Sequence, residues 1–525
     1  MADELQIWKP KYNPWLIAVV VALAAFMEVL DTSIANVALP HLAGDLGASN
    51  DESTWVLTSY LVSNAIVLPI SGWLANLFGR KRFFLGCILM FTLSSLLCGI
   101  APSLGVLILF RVIQGMGGGG LQPMAQAILA DTFPPQKRGL AFALYGITAI
   151  MAPAIGPTLG GWLTDNYSWR WIFYINLPVG IATLLLVMRV VEDPPYLARD
   201  KSAGVRIDYI GIALLALGVG ALQVLLDKGQ EDDWFGSHFI VTLIAISATC
   251  LVSLVFWELH TRTPIIDVRM FKSFNFAAAN LMMFVLGVLF FSSLVLMPQF
   301  LQTVMGYTAE SAGLVLSGAS VILLFEMPVV GQLTTKFAAK YIMAFGWLLL
   351  ALGMYYSTKR LDLDISFKSA AELRVVQSFG LAFLFVPINL SAYVGIPAEK
   401  GNSVSGMVNF MRNIGSSVGT SMVTTILPRR AQFHQSMLSY HATNYDPAFR
   451  NQLAGLSNQL VHAGATPPDA QVQATGRIYQ SLLVQSQTLA YLDTFMVLAI
   501  AGGIMFLLSF IVRKNDPSGG QVVIE

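Results

Sequence analysis

Fourteen blocks of predominantly apolar residues run through the chain, centred near residues 26, 64, 92, 117, 151, 180, 218, 247, 287, 322, 349, 383, 416 and 502. A helix needs about 20 such residues to cross about 30 Å of hydrocarbon. Inside lipid, backbone amides and carbonyls find partners only in a helix or a closed barrel. The repetition therefore restricts the chain to an all-α, polytopic membrane protein. Composition agrees: 12% of the residues are charged, against about 25% in soluble domains, and mean hydropathy is +0.65.

Other classes recede on the same grounds. A net charge of +1 implies no nucleic-acid partner. The three cysteines, Cys87, Cys98 and Cys250, fall inside spans, so no disulfide framework is expected. The six histidines fall in loops or at span ends, and no metal-ligand spacing occurs. A membrane-embedded enzyme needs a nucleophile–base pair or a metal cluster at membrane depth, so no catalytic residue and no metal site is expected. The chain opens on the acidic MADE with no short apolar stretch and cleavage site before the first span, which reads as an uncleaved helix.

Orientation follows the bias of Lys and Arg toward cytoplasmic loops. With the N-terminus inside, 19 of the 31 basic residues are cytoplasmic: Lys9, Lys11, Arg80, Lys81, Arg82, Lys137, Arg138, Arg189, Arg199, Lys201, Arg206, Arg262, Arg269, Lys272, Lys336, Lys340, Lys400, Arg513 and Lys514. Eight fall outside, and half of those lie in one long loop. Both termini are then cytoplasmic, which an even span number satisfies.

Three similarities recur at nearly one offset. FRVIQGMG at 110–117 returns as LRVVQSFG at 373–380, GWLANLFGRKR from Gly72 as GQLTTKFAAKY from Gly331, and PQKRG from Pro135 as PAEKG from Pro397. An internal duplication follows, with six spans in each half and two left between them. The expected partition is 1–192 for a first six-helix bundle, 193–273 for two inserted helices with their loops, and 274–525 for a second six-helix bundle carrying a long loop at 429–489.

Parallel six-helix repeats are the plan of the major facilitator superfamily, and the chain resembles it closely. LDTSIANVALP (30–40), GWLANLFGRKR, RVIQGMGGG, APAIGPTLGG (152–161) and WRWIFYINLPVG (169–180) are similar to motifs of its 14-spanning drug/proton antiporter group, most of all the EmrB-type multidrug exporters. The resemblance spans nearly the whole chain. It implies a major facilitator fold in the bacterial inner membrane, no cofactor, a proton gradient as driving force, and hydrophobic or amphipathic compounds as substrates. It also implies a periplasmic adaptor and an outer-membrane channel as partners. One departure stands out: Asn76 occupies a place where the loop motif usually has Asp, although Arg80 remains free to pair with Asp131. Gly72, Gly79 and Arg80 of that motif, with Pro153, Gly156, Pro157 and Gly160 of the fifth-span motif, are expected to govern conformational change.

Ionisable groups inside spans are costly and therefore functional candidates. Glu28 and Asp31, at i and i+3, share a face of the first span; two close carboxylates in a low dielectric do not both ionise readily. On the fourth span, Arg111, Gln114, Gly118, Gln122 and Gln126 fall within about 120° of one face, so that this stripe turns from lipid and Gln114, Gln122 and Gln126 are expected to line the substrate cavity. Arg111 can couple to Asp31 or to Glu28. Glu326 is an intramembrane acid of the second half, read as a site for protons or cationic substrates. Asn409 and Arg412 of span thirteen fit either a polar cavity wall or an inter-helix clamp. Arg374 and Gln377 repeat Arg111 and Gln114; snorkelling of Arg374 to headgroups is an equal alternative. Glycines 115 and 117–120 need no more explanation than close helix packing.

The stretch 429–489 carries two helix-like runs broken by ATPPDA, with glutamine-rich composition favouring weakly ordered helices; it either docks an adaptor or lies on the lipid surface. The functional expectation is alternating-access export coupled to protons, with a dedicated metabolite or siderophore exporter as the alternative and a membrane sensor as a remote one.

Overall fold

The computed structural model describes residues 10–194, 207–261 and 263–511. Lys9, Arg199, Lys201, Arg206, Arg262, Arg513 and Lys514, which contribute to the charge bias, lie outside the described residues, as do both chain ends. Among the described residues there is no strand. The helices are α1 (Pro14–Leu46), α2 (Trp55–Phe78), α3 (Arg80–Gly99), α4 (Leu104–Thr132), α5 (Pro135–Asn166), α6 (Asn176–Val190, after a single turn at Trp171–Tyr174), α7 (Tyr209–Lys228) and α8 (His238–His260). They continue with α9 (Phe274–Gln299), α10 (Ala309–Leu333), α11 (Ala339–Arg360), α12 (in two pieces, Phe367–Ser378 and Ala382–Ala392), α13 (Gly401–Ser439) and α14 (Pro467–Ser509).

Twelve of these spans are long and apolar enough to cross a membrane, and α5, bent by 41° beside Pro153, makes a thirteenth. The fourteenth, α13, is more polar for a physical reason: Asn402, Ser405 and Asn409 are buried against other helices rather than turned to lipid. Local chemistry sets the ends. The Asn13 side chain caps α1 by accepting from the Trp15 amide at 2.9 Å, with Pro14 in the first turn. Gly79, at φ +88°, is the single residue between α2 and α3; only glycine adopts that backbone without strain.

Helices α1–α6 pack chiefly among themselves, as do α9–α14, and the two bundles meet where α2 lies on α13 and α5 on α10. Both seams are tight at the end that carries Arg80, Lys137, Lys336 and Lys400, here termed the basic end. A Cβ on Gly72 would sit 2.7 Å from the Ser403 backbone, and one on Gly331 would sit 3.0 Å from the Gly139 carbonyl oxygen. Asn402 Nδ2 donates to Asn76 Oδ1 at 2.9 Å across the first seam, so Asn76 ties the bundles with a neutral hydrogen bond.

The inserted helices α7 and α8 pack on each other, and α7 leans on both α2 and α13. Asp227 accepts from Thr58 of α2, and Gln223 Nε2 donates to Ser417 Oγ of α13 at 2.7 Å. The other flank of the pair is apolar and open, with Val252, Val255 and Phe256 of α8 exposed as lipid contact requires.

The long loop differs from the weakly ordered expectation. Helix α13 continues to Ser439, α14 begins at Pro467, and a helix at Pro447–His462 lies between them. Asp446 and Thr466 cap the last two, each followed by a proline in the first turn. The ATPPDA break is thus a helix stop and restart, with Gly464 at φ +101°. Leu460 packs on Ala470 and Ala474, supported by Leu453 and Leu456. This short hydrophobic seam orders a hairpin that its glutamine-rich composition disguises.

Candidate functional site

In α1, Glu28 and Asp31 are both buried, at 4% and 2% exposure, yet they do not share one site. Each has its own set of partners. Asp31 Oδ2 takes Arg111 Nη1 at 2.6 Å. Its Oδ1 accepts from Gln114 Nε2 at 3.0 Å and Asn176 Nδ2 at 2.7 Å. Arg111 is wholly buried. Its Nε donates to the Val56 carbonyl at 3.1 Å, Nη1 also reaches Gln114 Oε1 at 2.8 Å, and the guanidinium lies 4.3 Å from the centre of the Tyr60 ring. Nη2 has no partner among the described residues. A buried ion pair this close is strongly attractive, but only because other donors satisfy the remaining lone pairs of the carboxylate.

Glu28 is held instead by neutral donors. Tyr60 Oη donates to Oε1 at 3.3 Å, Asn64 Nδ2 to the same oxygen at 3.0 Å, and Gln122 Nε2 to Oε2. The amide oxygen of Gln122 turns the other way. It accepts from Tyr145 Oη at 2.9 Å and from Arg412 Nη2 of α13. A continuous path therefore runs from a carboxylate of the first bundle, through one glutamine, to a cation of the second. One turn along, Gln126 Oε1 accepts from Asn409 Nδ2 at 2.8 Å. The polar face of α4 thus divides its work: Arg111 and Gln114 stay within the first bundle, Gln122 bonds both α1 and α13, and Gln126 reaches across to α13. Gly118 lies between them, where a side chain would strike Tyr60 and Asn64.

The remaining candidates fall elsewhere. Glu326 is half-buried in α10 beside the exposed Phe325 and Val329. Neither of its carboxylate oxygens has a hydrogen-bond partner among the described residues, and it joins neither of the two networks. The buried Arg80 pairs with the partly buried Asp131 at 2.5 Å at the basic end. Beside it, the Lys81 amide donates to Asp193 Oδ1 at 2.8 Å. In α5, the Pro153 carbonyl, which has lost its usual helical donor to the proline that follows at Pro157, accepts from Ser33 Oγ of α1 at 3.2 Å. Side chains at Gly156 or Gly160 would collide with Ser33 and Ile34. The proline–glycine motif therefore sets α5 directly on the helix that carries Glu28 and Asp31. Arg374 is buried, at 3% exposure, which rules out snorkelling to headgroups.

Sequence reasoning missed Tyr60, Asn64, Tyr145 and Asn176. Each is a lone polar group in an apolar span, the signal that singled out Gln114. Asn176 lies within WRWIFYINLPVG, a stretch first valued for its resemblance rather than for its amide.

Fold and site together define a membrane transporter rather than an enzyme: two six-helix bundles, tight at one end, with buried charges on helices that meet between them. The chain belongs to the major facilitator superfamily, whose family model matches residues 21–420. It is 36% identical over 520 residues to the multidrug export protein EmrB of Escherichia coli (strain K12), covering 98% of each chain. It is 35% identical over 489 residues to the fatty acid resistance protein FarB of Neisseria gonorrhoeae, covering 93% of this chain and 92% of that one. Among solved structures, the proton:xylose symporter XylE superposes with a TM-score of 0.59 at 14% identity, over 96% of this chain and 98% of that chain, a likeness of fold alone.

Proposed function

We propose that the chain is a proton-coupled antiporter that exports hydrophobic and amphipathic toxic compounds by alternating access. The observation that carries this reading is the separation of the α1 acids into two networks, one closed on Arg111 and one reaching Arg412 of the other bundle. Protonation of Asp31 removes its attraction for Arg111 and so biases a two-state element. Glu28 and Gln122 connect the same helix to α13, which moves with the second bundle when the bundles rock about a central site. Glu326, with no hydrogen-bond partner among the described residues, is a second place for a proton or a cationic substrate. Gly72, Gly79, Arg80, Asp131 and the α5 motif shape the contacts that must open and reclose. Likeness to a multidrug exporter and to a fatty-acid resistance protein supports drug-like and amphipathic substrates.

The proposed setting is the bacterial inner membrane with both termini cytoplasmic, which places the basic end inside and the helical hairpin of 439–489 in the periplasm. That hairpin exposes Tyr440, Tyr445 and Val472, an apolar surface suited to a periplasmic adaptor and, through it, an outer-membrane channel. The proton gradient is the only driving force required.

The test is transport in proteoliposomes with an imposed pH gradient and a pH dye in the lumen. A panel of unrelated amphipathic cations, anions and neutral dyes is expected to collapse the gradient faster than empty liposomes do. Response to a single compound would turn the reading into a dedicated exporter. No response to any member of the panel would sink multidrug antiport.

A further inference from the structure

Arg374 is a buried cation that pairs with no acid among the described residues, and the internal repeat explains how that arose. Arg374 and Gln377 follow Arg111 and Gln114 by 263 residues. Ser293 follows Asp31 by 262, and Ser357 follows Cys98 by 259. The geometry repeats as well. Arg374 Nη1 donates to Ser293 Oγ at 3.0 Å and to Gln377 Oε1 at 3.2 Å, and Gln377 Nε2 donates to Ser357 Oγ at 2.8 Å. In the first half, Arg111 makes the same two contacts to Asp31 and Gln114, and Cys98 touches Gln114. The change that matters is at one position: the second half has a neutral hydroxyl where the first has a carboxylate.

No other described residue supplies the missing charge. Ser293 gives its proton to the Phe290 carbonyl at 2.8 Å. Among the described residues no carboxylate pairs with Arg374, and its Nε has no partner. A cavity of about 10 Å³, room for one water molecule and no more, adjoins the guanidinium, lined by Ile150, Phe290, Leu316, Leu323 and Ser378. Ile150 belongs to α5 of the first bundle, so the cavity sits on the seam that must open during transport. An isolated guanidinium is expensive to bury, and its planar fork matches a carboxylate better than any other common group.

We infer that Arg374, with Ser293 and Gln377, is a binding site for the carboxylate of an amphipathic monoanionic substrate, which reaches the guanidinium when the α5–α10 seam opens and lays its apolar tail along the parted side chains of α5 and α10. The substrate supplies the counter-ion that Asp31 supplies in the first half. This rests on the export reading, since it places a substrate headgroup at the moving seam.

The test compares decanoate with decanamide, which has the same tail and no charge, by calorimetric titration of the full chain in nanodiscs at low and at high chloride. Wild type is expected to prefer decanoate by at least about ten-fold, as for a charge-assisted hydrogen-bonded site. Ser293→Asp, which rebuilds the ion pair of the first half, and Arg374→Gln are both expected to bring that preference within about two-fold. The unfolding midpoint shows that each variant is folded, and Ser293→Asp gives the answer even where Arg374→Gln is unstable. No preference in wild type, or a preference that survives Ser293→Asp, overturns the assignment. Arg374-dependent binding of chloride without any decanoate preference also overturns it, in favour of a free halide. Dye export by wild type in the proteoliposome assay separates the two readings. Export without carboxylate preference removes the site alone, and carboxylate preference without any export removes the transport reading alone.

Discussion

Replacing Arg111 by glutamine is expected to abolish uphill export and to lower stability by about 3–5 kcal/mol, the usual cost of stripping one partner from a buried ion pair. The size of the effect follows from the burial. Both side chains are almost wholly enclosed, so Asp31 would be left ionised with only the amides of Gln114 and Asn176 to solvate it. Asp31→Asn has the complementary effect, stranding a guanidinium that already has one unpartnered nitrogen. The double variant, Asp31→Asn with Arg111→Gln, removes both charges and keeps the shapes. Its unfolding midpoint in detergent is expected to recover most of what either single change loses, because replacing a buried pair by neutral groups is often close to neutral. Its proton-driven transport is expected to stay absent. A double variant that unfolds as early as the singles would show that packing, not charge, sets their loss; recovered transport would take this pair out of the coupling mechanism.

Gln122→Leu is the second large effect. Gln122 is the only described residue that bonds both Glu28 and Arg412, and leucine keeps about the same volume while severing both contacts. Coupling between sites is typically worth 1–3 kcal/mol, a factor of 5–150. Uphill export driven by a pH gradient is therefore expected to fall about 5- to 150-fold, with downhill equilibration of the same dye much less affected. Equal losses in both modes would make Gln122 a part of the substrate path rather than a link between the bundles.

The fold was largely legible in the sequence because lipid leaves so few solutions. Apolar blocks locate fourteen spans, thirteen of which are helices long and apolar enough to cross a membrane, and the repeat supplies the two bundles. Helix α13 was read from the apolar block near residue 416, and it is the least apolar of the spans because Asn402 and Asn409 are buried in protein. The site was half legible. Intramembrane charge picks out Glu28, Asp31 and Arg111, but one-face geometry put both acids at a single locus. The structure divides them, because Tyr60 and Asn64 of α2 occupy the side of α1 that faces Glu28. Spacing along one helix cannot report what a neighbouring helix presents. The hairpin after α13 was misjudged for a related reason. Its order comes from a narrow seam at Leu453, Leu456 and Leu460, too small to stand out in glutamine-rich composition. The repeat of Arg111 as Arg374 was visible as an offset, but the pairing of Arg374 with Ser293 emerged only from the structure, where both are buried.

The central claim, that a substrate and the proton on Asp31 exclude one another, has a direct measurement. The purified chain is placed in weakly buffered detergent solution with a soluble pH dye, and a substrate found in the proteoliposome panel is added. Wild type is expected to release protons in a saturable way, with the concentration dependence of substrate binding, and Asp31→Asn to bind the substrate with no release. Undiminished proton release by Asp31→Asn would contradict the account and move coupling to Glu28 or Glu326.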